Sequence, residues 1–169
     1  MKSRLIIHDL SELEAMQLFH SIDSETIVFA VDEDSKVCIG CFNCWIKTPG
    51  QCIIKDKIQS LPKLMKDCNE VIIISRLVYG GYSPQIKMAL DRNIGYILPY
   101  FHIVDGEMHH QMRYNNPFSL QVHFYGDTIL EEEKLIAKQL VKGNTINFGS
   151  KSYLVDFHES SSLCKEKIL

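Results

Sequence analysis

The chain has 169 residues, 46% of them hydrophobic and 23% charged, with a formal net charge of -3 and an isoelectric point near 6.1. This length suits one domain with a sizeable core. The mildly acidic balance and the scattered basic residues argue against a protein that neutralises nucleic-acid phosphates, so we expect no nucleic-acid partner. No apolar run approaches the ~20 residues of a membrane span, and no signal peptide follows Met1. We therefore expect a cytoplasmic protein without a membrane partner.

The first half of the chain alternates short apolar runs with amphipathic stretches. Residues 4–8 and 26–31 predict two buried strands, since both runs are rich in large aliphatic or β-branched side chains. Between them, residues 12–22 predict a helix that begins at a capping box of Ser11 and Glu14. Its apolar face is formed by Leu13, Met16, Leu18, Phe19 and Ile22.

A helical stretch at 58–68 precedes residues 71–74 (VIII), the most continuous apolar run of the sequence. Such a run is what a central strand covered on both faces requires. Residues 83–97 predict a third helix, in which isoleucine or leucine recurs every four residues at Ile86, Leu90 and Ile94.

The second half predicts two further strands, at residues 120–124 and 152–157. Between them, Thr128 as N-cap and Glu131 three residues later predict a helix that ends at Gly143 in the C′ position. We expect one domain over residues 1–157, followed by a tail at 158–169 that is either a short helix or without order.

Five strands separated by helical crossovers imply parallel pairing, and right-handed crossovers favour a doubly wound sheet. The predicted fold is therefore α/β, a flavodoxin-like five-stranded parallel sheet of order 2-1-3-4-5 with helices on both faces. In such a sheet, ligands bind beyond the carboxyl ends of strands 1, 3 and 4.

Four cysteines form a C-x2-C-x2-C-x7-C motif of Cys38, Cys41, Cys44 and Cys52. The short spacings let successive thiolates converge as the backbone curls, which is typical of [4Fe–4S] ligation. Structural zinc is an alternative, and so are thiols that only pack beneath the loop or oxidise in pairs. Cys68 and Cys164 stand alone and are interpreted as core or surface thiols.

Two segments carry a family resemblance. Residues 38–56 (CIGCFNCWIKTPGQCIIKD) resemble the cysteine loop of iron–sulfur flavoproteins and of flavodoxin-like NAD(P)H-dependent FMN reductases. In residues 71–92 (VIIISRLVYGGYSPQIKMALDR), a strand, a loop and a helix follow the same arrangement, with Leu77 where proline is usual. Residues 105–110 and 113–114 are similar less specifically. The matching positions of the second segment are Val78, Tyr79, Gly80, Gly81, Ser83, Lys87, Asp91 and Arg92.

The resemblance implies an FMN-dependent NAD(P)H oxidoreductase whose flavin exchanges electrons with a [4Fe–4S] cluster. NAD(P)H would be the reductant, and the electron acceptor would be a small molecule or a protein. A homodimer or larger homo-oligomer is also implied. The flavin ring would contact two loops, formed by Leu77, Val78, Tyr79, Gly80 and Gly81, and by Tyr125, Gly126 and Asp127.

The segment after the first strand departs from the family pattern. Relatives place there a loop rich in hydroxyl and amide side chains that wraps the FMN phosphate, whereas this chain has the short, acidic run His8-Asp9-Leu10-Ser11-Glu12. The capping box would use the helix amides, and the carboxylates would repel a phosphate. The alternative hypothesis is thus a flavin-free family member that acts as a binding or assembly subunit. His8 would either protonate a bound group or hydrogen-bond within the loop.

Overall fold

The computed structural model describes residues 3–168. Its strands are β1 (Ser3–His8), β2 (Thr26–Ala30), β3 (Cys68–Arg76), β4 (Ile97–Val104), β5 (Glu107–Met112), β6 (Ser119–Tyr125) and β7 (Ser152–His158). Its α-helices are α1 (Glu12–Phe19), α2 (Asn43–Ile46), α3 (Leu61–Lys66), α4 (Pro84–Asp91), α5 (Glu131–Asn147) and α6 (Lys165–Ile168). Short 3-10 helices span Lys57–Ser60, Arg92–Tyr96 and Ser161–Cys164. None of the described helices is long and apolar enough to cross a bilayer.

Five strands form one parallel sheet of order β2-β1-β3-β6-β7. This is the predicted flavodoxin order, because β6 and β7 are the fourth and fifth strands of this sheet. The apolar run at 71–74 lies in β3, the central strand, and is fully buried as predicted. Helices α3, α4 and α5 cover one face of the sheet, while α1 and the C-terminal segment cover the other.

An antiparallel hairpin of β4 and β5 stands outside the main sheet and was not predicted. Its turn is Asp105-Gly106, with φ of 51° and 85°, the left-handed pair that two-residue hairpins favour. The predicted helix at 83–97 reaches only the first residue of the hairpin, Ile97, and the sequence predicts no element over the rest of it. That helix ends at Asp91, and a 3-10 turn over the next five residues brings Arg92 and Tyr96 into the interior.

Helix α1 confirms its predicted capping box, and its predicted apolar face is confirmed in part, since Leu18, Phe19 and Ile22 pack on the core. Ser11 and Glu14 exchange the two capping hydrogen bonds. The helix ends at Phe19 rather than residue 22, and Leu13 and Met16 are 73% and 65% exposed. Only Leu18 is fully buried, because a narrow stripe of this short helix faces the sheet.

Helix α5 begins and ends later than the sequence predicts. Its N-cap is Leu130 rather than Thr128, and Glu133 accepts a hydrogen bond from the Leu130 amide at 3.2 Å. It continues through Gly143 to Asn147. Burial of Val141 and Thr145 on the core face outweighs the ~1 kcal/mol that a glycine costs inside a helix.

The segment after β7 folds back on the sheet. Its 3-10 helix and α6 place Cys164 and Ile168 in the core on the α1 side. Cys68 is buried on the opposite face. Both lone cysteines are therefore core thiols.

Candidate functional site

A cavity of about 620 Å³ opens where the carboxyl ends of β1, β3 and β6 meet. This is the switch point at which doubly wound sheets bind ligands, and the volume lies within the ~300–1,000 Å³ of small-molecule sites. Its lining residues are Asp9, Arg76, Leu77, Val78, Tyr79, Ser83, Pro84, Gln85, Tyr125 and Glu133.

The loop after β3 forms one wall of this cavity as a tight turn. Val78 and Gly81 exchange backbone hydrogen bonds of 3.0 and 2.9 Å, and the two residues between them have positive φ, 50° at Tyr79 and 76° at Gly80. The turn leaves the Tyr79 side chain 92% exposed at the cavity rim. A Cβ on Gly80 would lie 2.9 Å from the Cβ of Ile136, so glycine lets the turn pack on α5.

The three residues predicted as the second wall, Tyr125, Gly126 and Asp127, are divided between two cavities. Tyr125 lines the large cavity, and its carbonyl accepts the Leu77 amide at 2.9 Å. Gly126 and Asp127 line a neighbouring groove of about 260 Å³ instead. Of the eight residues predicted to hold the cofactor, four thus line the main cavity: Leu77, Val78, Tyr79 and Tyr125.

Asp9 ties the three strand ends together beneath the cavity. Its carboxylate accepts hydrogen bonds from the Arg76 amide at 2.9 Å and from the Tyr125 hydroxyl at 3.0 Å. Burial raises the pKa of Asp9 despite these hydrogen bonds. Burial and the nearby Asp9 carboxylate likewise raise the pKa of Tyr125. From the sequence alone, Asp9 is only a charge that would repel a phosphate, although an acid directly after a buried strand is a signal for the ligand edge.

The start of α1 does not form a phosphate cradle. The Ser11 amide donates to Glu14 at 2.9 Å, and the Leu10 amide donates to Nδ1 of His8 at 3.2 Å. An adjoining cavity of about 370 Å³ is lined by three carboxylates, those of Asp9, Asp32 and Glu33. The residues around the main cavity fit a flavin ring, whereas this end does not fit a phosphate dianion.

His8 takes the simpler of its two predicted roles. The side chain is buried, and burial together with the positive charge of Lys57 lowers its pKa to about 4. A neutral imidazole that accepts a backbone amide is fixed within the loop, so it is a structural histidine.

The cysteine loop curls as its spacing predicts. Positive φ values at Gly40 (64°) and Phe42 (53°) separate the first three cysteines. Cys38 and Cys41 are exposed, Cys44 is buried and Cys52 is half-buried. Burial and the neighbouring thiols, first that of Cys52, raise the pKa of Cys44. The loop therefore carries free thiols close enough to influence one another.

Arg92 anchors this loop from the interior. Its buried guanidinium donates to the Asp56 carboxylate and to the Lys36 and Ile54 carbonyls at 3.0 and 3.2 Å. It also lies 3.5 Å from the sulfur of Cys52. Partial burial acts to raise the pKa of Asp56, but the hydrogen bonds from Arg92 and the Lys36 amide outweigh it and hold that pKa below its usual value.

A second anchor comes from Trp45, whose indole donates to the carbonyls of Ile94 and Ile97 at 2.9 and 3.0 Å. Gly95 allows the close approach, because a Cβ there would lie 3.3 Å from the Cβ of Cys44. Arg92 thus holds the chain before Cys38 and after Cys52, and Trp45 holds the middle of the loop.

The four thiols are spread more widely than the ligands of one bound zinc ion. Four thiolates on one zinc ion at ~2.3 Å would lie about 3.8 Å apart. Within residues 3–168, no three of the cysteine sulfurs lie within 4.8 Å of one another. The loop is therefore not closed to the radius of a single ion in this structure. Four thiolates are a donor set that suits either structural zinc or an iron–sulfur cluster.

Comparisons with known proteins give one sequence relative and several structural ones. An iron–sulfur flavoprotein of Methanocaldococcus jannaschii is 39% identical over 72 residues, which cover 43% of this chain and 36% of that protein. The chain thus matches about a third of the length of that relative. No protein-family model matches the chain.

Solved structures share the fold over nearly the whole chain. An NAD(P)H:quinone oxidoreductase from Methanothermobacter marburgensis superposes with a TM-score of 0.61 at 15% identity, covering 99% of this chain and 90% of that one. An FMN-dependent NADH-azoreductase of Bacillus anthracis, in complex with FMN, gives 0.53 at 13% identity, covering 100% and 92%. These matches confirm the flavodoxin-like fold. The 39% match over 72 residues bears out the resemblance to iron–sulfur flavoproteins in that part of the chain.

Proposed function

We propose that this flavodoxin-like chain is an NAD(P)H-dependent flavin oxidoreductase that binds its flavin through the ring rather than through the phosphate. The observation that carries the proposal is the cavity of about 620 Å³ at the carboxyl ends of β1, β3 and β6. The fold shared with an FMN-dependent NADH-azoreductase and an NAD(P)H:quinone oxidoreductase supports it. The bound flavin would supply the hydride chemistry.

The residues of the cavity have distinct roles in this proposal. Tyr79 presents an aromatic face at the rim, where it would stack on the ring. The tight turn at Gly80 would let backbone N–H groups approach the polar edge of the ring. Asp9, held by the Tyr125 hydroxyl, has a raised pKa and is the group best suited to hold a proton beside the ring. NAD(P)H would stack on the flavin, since the sequence has no dinucleotide glycine fingerprint.

Replacing Tyr79 tests the ring site. Loss of an aromatic stacking contact of ~0.5–1.5 kcal/mol should weaken riboflavin binding by about 2- to 12-fold in Tyr79→Ala. The matched control is Tyr153→Ala, an exposed tyrosine on β7. Binding is measured by flavin fluorescence quenching. Equal affinities in the two variants would place the ring elsewhere.

The four-cysteine loop would hold a [4Fe–4S] cluster, which would supply one-electron transfer. Cys38, Cys41, Cys44 and Cys52 are the four thiolate donors, and the Arg92 guanidinium at 3.5 Å from Cys52 would stabilise negative charge on that sulfur. Protein purified without oxygen should contain about four iron and four acid-labile sulfide per chain. A zinc-loaded or metal-free loop under the same conditions would contradict this assignment.

We also propose that the protein forms a homodimer or larger homo-oligomer and passes electrons to a small molecule or a protein. The β4–β5 hairpin supports the first point because it exposes several large apolar side chains outside the main sheet: Tyr100, Phe101, Ile103 and Met108. Light scattering of Phe101→Glu/Ile103→Lys should report a smaller assembly than the wild-type chain. An unchanged mass would exclude the hairpin as the contact.

One observation favours the alternative, a flavin-free binding or assembly subunit. The capping box uses amides at the start of α1, and the neighbouring carboxylates of Asp9, Asp32 and Glu33 would repel a phosphate there. A protein that takes up neither riboflavin nor FMN, yet retains its fold by circular dichroism, would support that alternative.

A further inference from the structure

We propose that His123, Asp156 and His158 form a binding site for a divalent transition-metal ion. One ligand atom of each side chain, an imidazole nitrogen or a carboxylate oxygen, lies within 4.8 Å of the other two. The site is separate from the cysteine loop, and the inference does not rest on the proposed flavin chemistry.

The pairing of β6 and β7 brings the three side chains together. His123 and Asp156 are register partners, and His158 lies two residues beyond Asp156 along β7. Since side chains alternate between the faces of a strand, all three project from the same face of the sheet. The partners on the other face, Phe124 and Phe157, stack in the opposite core layer at 5.8 Å between ring centroids.

The distance between the two imidazoles suits coordination of one ion. Nδ1 of His123 lies 3.1 Å from Nε2 of His158. Two nitrogen ligands at ~2.0–2.1 Å from a metal lie about 2.9 Å apart at a right angle and about 3.4 Å apart at the tetrahedral angle. The observed separation falls between these values, so both nitrogens can meet one ion with small side-chain adjustments.

The donor set specifies the class of metal. Imidazole suits zinc, copper, iron and nickel, whereas magnesium and calcium prefer oxygen ligands alone. Two histidines and one carboxylate are also the ligands of open metal sites, which keep at least one position for water or substrate. The Asp156 carboxylate would offset part of the charge of the ion.

The site is protected but reachable. His123 is fully buried, while Asp156 and His158 are half-buried. His158 also lines the groove of about 260 Å³ that contains Asp127 and Glu159. Lys134 lines the same groove, so two carboxylates face one ammonium there, and the excess of negative charge would attract a cation to the open side of His158.

Zinc binding tests the proposal in a variant that carries fewer competing cysteines. Cys38→Ser/Cys41→Ser removes the two exposed loop thiols, and a chelator removes metal before titration. We expect one equivalent of Zn²⁺ to bind. Its X-ray absorption spectrum should show only nitrogen and oxygen ligands, together with the multiple scattering that imidazole rings produce. His158→Gln should weaken binding by about a hundredfold or more, since even residues that only support a ligand cost 10–100-fold.

His20→Gln, at an exposed histidine after α1, is the matched control and should bind as the parent does. Asp156→Asn is a second and milder variant, and circular dichroism checks that each variant is folded. A sulfur ligand on the ion, equal zinc affinity in His158→Gln and His20→Gln, or no zinc binding by the parent would each overturn the proposal. In that case the two rings and the carboxylate form a hydrogen-bonded cluster only.

Discussion

Replacing Arg92 with methionine should lower the free energy of unfolding more than replacing an exposed residue nearby, because Arg92 anchors the cysteine loop. The side chain is completely buried, and it donates to Asp56, Lys36 and Ile54 as well as lying against Cys52. Removing one partner of a buried ion pair costs about 3–5 kcal/mol. Asp56 is 16% exposed and keeps the hydrogen bond from the Lys36 amide, so we expect the lower end, about 3 kcal/mol.

Urea denaturation measures this cost. With a slope of about 2 kcal/mol/M, the midpoint of Arg92→Met should fall by about 1.5 M. Lys87→Met is the matched control, because Lys87 pairs with Asp91 on the exposed face of α4 and should contribute less than about 0.5 kcal/mol. A midpoint for Arg92→Met that equals the control would refute the role of Arg92 as the anchor.

Three further predictions follow from the site. Gly80→Ala should lose about 1–3 kcal/mol of unfolding free energy from left-handed backbone strain and the close contact with α5, whereas Gly81→Ala, with ordinary contact distances, should stay within about 0.5 kcal/mol in thermal melts. Because His8 has a folded pKa of about 4 against 6.5 when unfolded, stability should fall by about 3 kcal/mol as pH drops from 6.5 to 4, and His8→Asn should flatten this loss. Glu12→Gln/Glu33→Gln should tighten FMN binding severalfold at low salt without changing riboflavin binding, since each charge near the helix start contributes ~0.3–1 kcal/mol. Unchanged FMN affinity would show that the phosphate does not approach α1.

The sheet could be predicted from the sequence because its signals are local. The apolar run at 71–74 predicts a buried strand from its own residues alone. The helical crossovers between the strands then favour the observed strand order. The Ser11–Glu14 capping box is equally local and was confirmed. The hairpin was missed although Asp105-Gly106 is a turn signal, because its strands lie outside the main sheet and carry no buried apolar run.

The interior contacts could not be predicted because they join distant parts of the chain. Arg92 and Asp56 are 36 positions apart in the sequence. The predicted helix at 83–97 does not indicate that the Arg92 guanidinium is buried. His123 and His158 are 35 positions apart and meet only through the register of β6 and β7. Such sites depend on which residues pair between neighbouring strands. The sequence pattern predicts the order of the strands but not this residue-by-residue register.

The central claim, a flavin-ring site without a phosphate cradle, is tested most directly by comparing riboflavin with FMN. Both are titrated calorimetrically into the same oxygen-free protein at low and moderate salt. The account predicts that riboflavin binds at least as tightly as FMN and that added salt improves FMN binding, because the carboxylates at the start of α1 repel the phosphate. FMN that binds tenfold or more tightly than riboflavin would contradict the account, since it would require a phosphate site that the acidic start of α1 does not form.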